Sequence, residues 1–154
     1  ISLERPKRGT VVVSKLADYH LYLYGERQYL ARRPLVRSSE DLRHYQFIDY
    51  VDDLLFTKEL QLLAQIYKPR QYVFRSTSIA AQYAAVRAGA GLAVLPAFLA
   101  DKDPLLQRVL PDTAAFEKTF WMSMPQELRT VPRIQVVWRF LKGMAKPLEE
   151  RLQP

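Results

Sequence analysis

Between Leu16 and Tyr24 the chain reads LADYHLYLY, with Leu21 and Leu23 alternating with Tyr22 and Tyr24. A period of two with aromatic partners predicts a strand. Glu26 to Arg32 follows as a short helix, closed before Pro34. Ser38, Ser39 and Asp41 give a capping-box-like start to another short helix ending near Tyr45. Gln46 to Tyr50 (QFIDY) reads as a short strand. Leu60, Leu63, Ala64 and Tyr67 then fall on one helical face, in a helix that Thr57 can cap and Pro69 stops.

The clearest unit runs from Tyr72 to Pro96. Tyr72 to Arg75 is a strand, and Ser76, Thr77 and Ser78 are N-cap candidates for a helix over Ile79 to Ala88. Gly89 suits the left-handed C-cap position. Leu92 to Leu95 is an unbroken apolar strand, as expected when both faces are covered, and Pro96 closes it. Strand, helix and strand with such short joints predict a βαβ crossover in a parallel sheet. Phe120 to Met124 reads as another strand. Pro132 opens a final helix carrying Ile134, Val137, Trp138, Leu141, Leu148 and Leu152 on one side, which Gly143 and Pro147 should weaken or kink. The alternation of elements gives an α/β fold class. A sheet needs more strands than these, which suggests that part of the fold lies outside the chain.

Composition narrows the field without naming a function. At 154 residues the chain is the size of one domain, and 49% apolar side chains argue against disorder. The lack of cysteine excludes a disulfide framework, a thiolate metal site and a cysteine nucleophile. No apolar run is long enough to span a bilayer. The formal charge of +7 is scattered, with Lys7 and Arg8, Arg32, Arg33 and Arg37, Lys68 and Arg70, and Arg139 and Lys142 far apart. That is a solvated surface rather than a dedicated polyanion site. The first residue is Ile1, so either a start was removed or this is a fragment, and no signal peptide leads it.

Several chemistries are missing: there is no HExxH, no GxSxG and no Walker loop. His20 and His44 lack metal-ligand spacing and read as packed or surface residues. Gly89, Ala90 and Gly91 begin like a dinucleotide fingerprint, but Val94 stands where its third glycine belongs and the segment runs from helix to strand. Asp52 and Asp53 adjoin, with Asp49 nearby, yet carboxylates adjacent in sequence usually point apart. Ser76, Thr77 and Ser78 are more suggestive. Hydroxyls at a helix N-terminus after a strand can cap the helix or bind an anion, and both readings stay open.

FRSTSIAAQYAAVRAGAGLAVLPAFLAD, Phe74 to Asp101, resembles the effector-binding domain of LysR-type transcriptional regulators. The pattern is a strand, a hydroxyl-rich cap, an alanine-rich helix ending in AGAG and an apolar strand closed by proline. Lys15 to Arg33, Ser38 to Asp53 and Phe120 to Leu141 resemble the family's other segments in order and spacing. The resemblance implies a two-lobed fold like that of periplasmic binding proteins, with one complete lobe and the returning part of the other in this chain. Residues 1–8 would be a hinge strand, 9–115 the second lobe and 116–154 the return to the first lobe. The front of the first lobe and a winged helix-turn-helix domain would lie outside.

It further implies that a small-molecule effector binds in the cleft between lobes, biasing an equilibrium that reaches the DNA-binding domains of a homodimer or homotetramer in the cytoplasm. Its contacts here would be Tyr50, Val51, Asp52 and Asp53 after one strand and Ser76, Thr77 and Ser78 after the next. No cofactor, metal or catalytic residue is implied. Two adjacent aspartates would repel a simple carboxylate and favour an amine, a zwitterion or a donor-rich effector. The competing reading is a solute-binding protein of a transport system with the same fold. An enzyme should show a nucleophile, metal set or cofactor loop, and a free nucleic-acid module a clustered basic face.

Overall fold

The computed structural model describes residues 1–6, 9–54 and 60–152. Thr57, the expected helix cap, lies outside them. The chain divides into two compact units, Ile1–His20 with Glu117–Pro154, and Leu21–Phe116.

The first strand, β1 (Val11–Glu26), is longer than the alternation around Tyr22 suggests. The β-branched run Val11, Val12 and Val13 extends it backwards. Its last six residues, Leu21–Glu26, belong to the second unit, where they pair antiparallel with β4 (Ala93–Pro96) and β5 (Leu106–Val109). Leu92 to Leu95 is buried on both faces, as the unbroken apolar run predicts. Tyr22, Tyr24, Ala93 and Leu95 pack against Val86 of α3 (Ile79–Arg87) in the core of this unit.

Parallel pairing is present around α3, in a crossover that leaves one strand between its two ends. β2 (Ile48–Asp49) and β3 (Phe74–Arg75) pair parallel, Ile48 with Phe74 and Asp49 with Arg75. Phe47 bridges Leu92 in parallel, while β4 itself runs antiparallel to β1. β3 and β4, the strands joined by α3, therefore flank the β2 segment with all three running parallel, as the crossover predicts, and the antiparallel neighbour of β4 is β1. Large sheets of α/β folds often carry such an antiparallel strand.

Local chemistry sets the helix ends. Glu26 caps α1 (Arg27–Ala31), its carboxylate accepting from the amides of Gln28 and Tyr29 at 2.9 and 2.7 Å. Asp41 accepts from the amides of Arg37 and Ser38 at 2.9 and 3.0 Å, so the expected capping residue starts a 3₁₀ turn, Ser39–His44. α3 ends as predicted. Gly89 has φ +73°, its amide reaches Val86 O at 2.9 Å, and the Ala90 amide reaches Ala85 O at 3.1 Å, a Schellman closure. The helix expected through Tyr67 shortens to α2 (Leu63–Ile66), and α4 (Ala97–Ala100) follows β4 directly.

Gly91 has a different duty. A Cβ there would stand 2.7 Å from the backbone oxygen of Gln46. That oxygen accepts from Leu92 N at 2.9 Å, in the contact that leads into β2. Gly91→Ala must push two backbones apart, and a loss of about 1–3 kcal/mol is expected, typical of overpacking. Urea denaturation of the variant against the parent checks it.

In the first unit, β6 (Ala115–Pro125) pairs with β1, and Tyr19 stacks on Phe120 at 4.3 Å. Asp18 accepts from the Thr119 hydroxyl at 2.6 Å, and Lys15 bridges Asp18 and Glu149 of α5 (Pro132–Leu152). α5 starts at Pro132 as expected and runs without a break past Gly143 and Pro147. Ile134, Trp138, Leu141, Ala145 and Leu148 are partly buried and Leu152 is buried. Val137 does not join them, being 56% exposed beside exposed Val136, Phe140 and Met144.

Candidate functional site

β2 and β3 both end at one place. Their ladder closes where the Ser76 amide donates to Asp49 O at 3.1 Å, and the chain then turns into α3. Residues after the two parallel strands therefore gather at the N-terminus of α3, where an α/β fold presents ligand groups. Ser76, Thr77 and Ser78 are in that turn, and Tyr50 to Asp53 follow β2.

The three hydroxyls divide their work. Ser78 is the N-cap of α3, its Oγ accepting from the Ala81 amide at 3.4 Å. Ser76 Oγ accepts from the Ser78 amide at 3.1 Å. Both serines thus have local structural duties, while each O–H stays a donor. Thr77 is exposed. Gln82, buried inside α3, donates to Ser76 O at 2.8 Å and fixes the turn from below. The amides of Ile79 and Ala80, in the helix's first turn, have no intrahelical partner to serve.

The acidic segment is also divided. Asp52 starts a 3₁₀ turn, Asp52–Leu54, and forms an ion pair with Arg75. Arg75 also donates to Tyr50 O at 2.9 Å and lies 4.6 Å from the Tyr72 ring centre. Asp53 is exposed, and Val51 is half-buried. Asp49 is half-buried and takes the Tyr50 amide at 2.8 Å. Burial pushes its carboxyl up to about 6, against the Tyr50 hydrogen bond and Arg75 and with Asp52 adding repulsion. Burial also raises the Tyr50 and Tyr72 phenols, helped by the charge of Asp49.

One end of the unit therefore brings together a cation, a carboxylate whose burial raises it to about 6, and three hydroxyl donors. The pattern of residue types points to the serine–threonine trio and the loop after β2. It misses Arg75 and gives Asp49 only a passing place, although each stands next to a predicted site segment. Partnering of Asp52 by Arg75 softens the repulsion that two bare aspartates would exert on an anion. Among the described residues no three His, Cys, Asp or Glu side chains converge as a metal site.

Comparisons with known proteins agree on one family. The LysR substrate binding domain family matches residues 1–146. The regulatory domain of CrgA, a LysR-type transcriptional regulator from Neisseria meningitidis, superposes with a TM-score of 0.77 at 19% identity, covering 93% of this chain and 72% of that one. The regulatory domain of AphB in Vibrio vulnificus gives 0.71 at 16% identity, covering 88% and 71%. Full-length AphB from Vibrio cholerae, a virulence activator, gives 0.73 at 17% identity over 91% of this chain and 49% of that one. No functionally curated protein matches.

Proposed function

This chain belongs to the LysR substrate-binding domain family, and we propose that it senses a small-molecule effector at the shared end of β2, β3 and α3. Domains of this family are regulatory, share the fold of periplasmic binding proteins and are generally not enzymes. LysR-type regulators bind effectors and DNA and form oligomers. The transport reading is not favoured. The observation that carries the proposal is the family match across residues 1–146. In this reading the sequence-specific DNA contacts belong to a winged helix-turn-helix outside this chain, and the protein acts in the cytoplasm as a homodimer or homotetramer. Among the described residues no helix is long and apolar enough to cross a membrane.

The site's chemistry selects among effectors. Ser76, Thr77, Ser78 and Arg75 offer donors to an anionic group, while Asp49 offers an acceptor to an ammonium or hydroxyl group. Tyr50, Val51, Asp52 and Asp53 line the approach. A zwitterion or a donor-rich molecule satisfies both sides, and a short simple carboxylate satisfies one. The effector acts by binding one arrangement of the regulator better than the other, and shifts the balance by no more than that difference.

A thermal-shift panel of free amino acids, alkyl amines and acetate or propionate tests this reading. At least one zwitterion or amine is expected to raise the melting temperature, with the short carboxylates inert. Thr77→Asp, a change at an exposed position, is expected to remove that rise. Stabilisation by acetate alone would contradict the charge reading, and a rise unchanged in Thr77→Asp would contradict the location.

A further inference from the structure

A second groove, of about 580 Å³, shares no residue with the site above. Its lining comes from α1 and the Leu35–Val36 segment, and from β5 with Leu110 and Pro111. Its surface is mostly apolar. Leu30, Leu35, Val36, Leu110 and Pro111 supply aliphatic surface, and Leu35 is 74% exposed. A leucine so exposed beside a concave apolar surface is the kind of feature that marks a binding groove.

Its charges are of one sign. Arg27, Arg33 and Arg108 line it, and among the described residues no acidic side chain does. Arg108 is committed to Asp101. Arg27 and Arg33 have no carboxylate partner among the described residues. Both are nevertheless held in place. Arg27 donates to Pro104 O at 2.8 Å and to Gln107 Oε1 at 3.3 Å. Arg33 lies 3.7 Å from the Tyr29 ring centre and donates to Tyr29 O at 3.2 Å. Each guanidinium keeps unused donors, so an arriving carboxylate would meet oriented groups rather than loose side chains.

The groove's shape is also fixed. The Tyr45 hydroxyl donates to Pro34 O at 2.7 Å and anchors the segment leading to Leu35. Leu110 adopts φ +51°, a left-handed conformation uncommon for leucine, secured by the amides of Thr113 and Ala114 on its oxygen at 3.1 and 2.8 Å. Such backbone outliers cluster at ligand sites, where surrounding contacts hold them.

We propose that this groove binds an amphipathic carboxylate, its alkyl or aryl body against Leu30, Leu35, Val36 and Leu110 and its carboxylate on Arg27 and Arg33. A neutral lipid would leave the two guanidiniums unanswered, and a short acid would leave the apolar surface open. The proposal is independent of the effector reading, since the two sites have no residue in common.

Titration calorimetry of the chain with octanoate, octanol and acetate tests it. Saturable 1:1 binding is expected for octanoate, with octanol and acetate each weaker by about tenfold or more, since either the charged hydrogen bonds or the apolar contact is missing. Leu35→Glu, at an exposed position that the fold does not need, is expected to abolish octanoate binding. Arg33→Gln is expected to weaken octanoate by about tenfold and leave octanol unchanged. Thr77→Asp, at the other site, is expected to change nothing. Absence of saturable octanoate binding overturns the proposal, as does binding insensitive to both groove variants or abolished by Thr77→Asp. A concentration-dependent dimer lost in Leu35→Glu, with no octanoate bound, would instead make a second copy the occupant and overturn it too.

Discussion

Leu95→Ala is expected to destabilise the folded chain by about 3 kcal/mol, within the usual range for a buried leucine truncated to alanine. Leu95 is fully buried in β4, opposite Tyr22 of β1, and belongs to the core formed with Val86, Ile48 and Leu106. The side chain stands beside its cross-strand neighbour Tyr22 in the sheet and is clustered with Val86 of α3. Neither neighbour collapses easily into the space that alanine leaves, so a cavity term adds to the lost transfer energy. The same packing holds α3 against the sheet, and α3 carries the Ser78 cap. A loss below about 1 kcal/mol in urea denaturation would mean that α3 is not packed on β4 as described, and that the site has no firm base.

The second large effect depends on pH. Asp49→Asn is expected to stabilise the chain at pH 7.5 and to be nearly neutral at pH 4. Burial raises the Asp49 carboxyl from its ordinary 3.8 to about 6. Between those values the folded state holds a proton that the unfolded state has lost, so stability falls as pH rises through this window. Above it the penalty is complete, and a rise of that size bounds it at roughly 2–3 kcal/mol. Partial exposure reduces this, and a gain of about 1–2 kcal/mol for asparagine at pH 7.5 is the expected size. Asparagine keeps an oxygen for the Tyr50 amide, so the local hydrogen bond can survive.

Other carboxylates titrate in the opposite sense. Asp103, hydrogen-bonded by Tyr83 and the Leu105 amide, is held below its ordinary value and contributes stability that is lost in acid. The quantity to measure is therefore the gap between variant and parent at each pH. An equal gap at pH 4 and pH 7.5 would contradict a raised Asp49. The functional consequence is that the acceptor at the site carries its full charge near neutral pH and loses it in mild acid.

Much of the fold is legible in the residues. The βαβ-like stretch from Tyr72 to Pro96 combines three independent local signals: a hydroxyl cap, a glycine at a left-handed C-cap and an unbroken apolar strand. Each is decided within a few residues, so the sequence carries them directly. Pairing partners are another matter. β2 and β3 have only two ladder pairs each, and nothing local says that the β2 segment inserts between β3 and β4, or that β4 lies antiparallel to β1. Val137 leaves the buried stripe predicted for it because α5 has apolar residues on more than one side, with Val136, Phe140 and Met144 also exposed. Arg75 escapes a reading by residue type because a strand residue points across the sheet according to register, and register is the missing quantity. The serine–threonine trio stands out by composition, but only the structure shows two of its members accepting backbone hydrogen bonds.

The location of the effector site is the claim on which the account turns, and amide chemical-shift mapping tests it most directly. The chain, labelled with nitrogen-15, would be titrated with whichever zwitterion or amine in the thermal panel stabilises it. Saturable shifts concentrated at Asp49 to Asp53 and Ser76 to Ile79, absent in Thr77→Asp, are the expected result. Saturable shifts that leave both segments untouched would contradict the account.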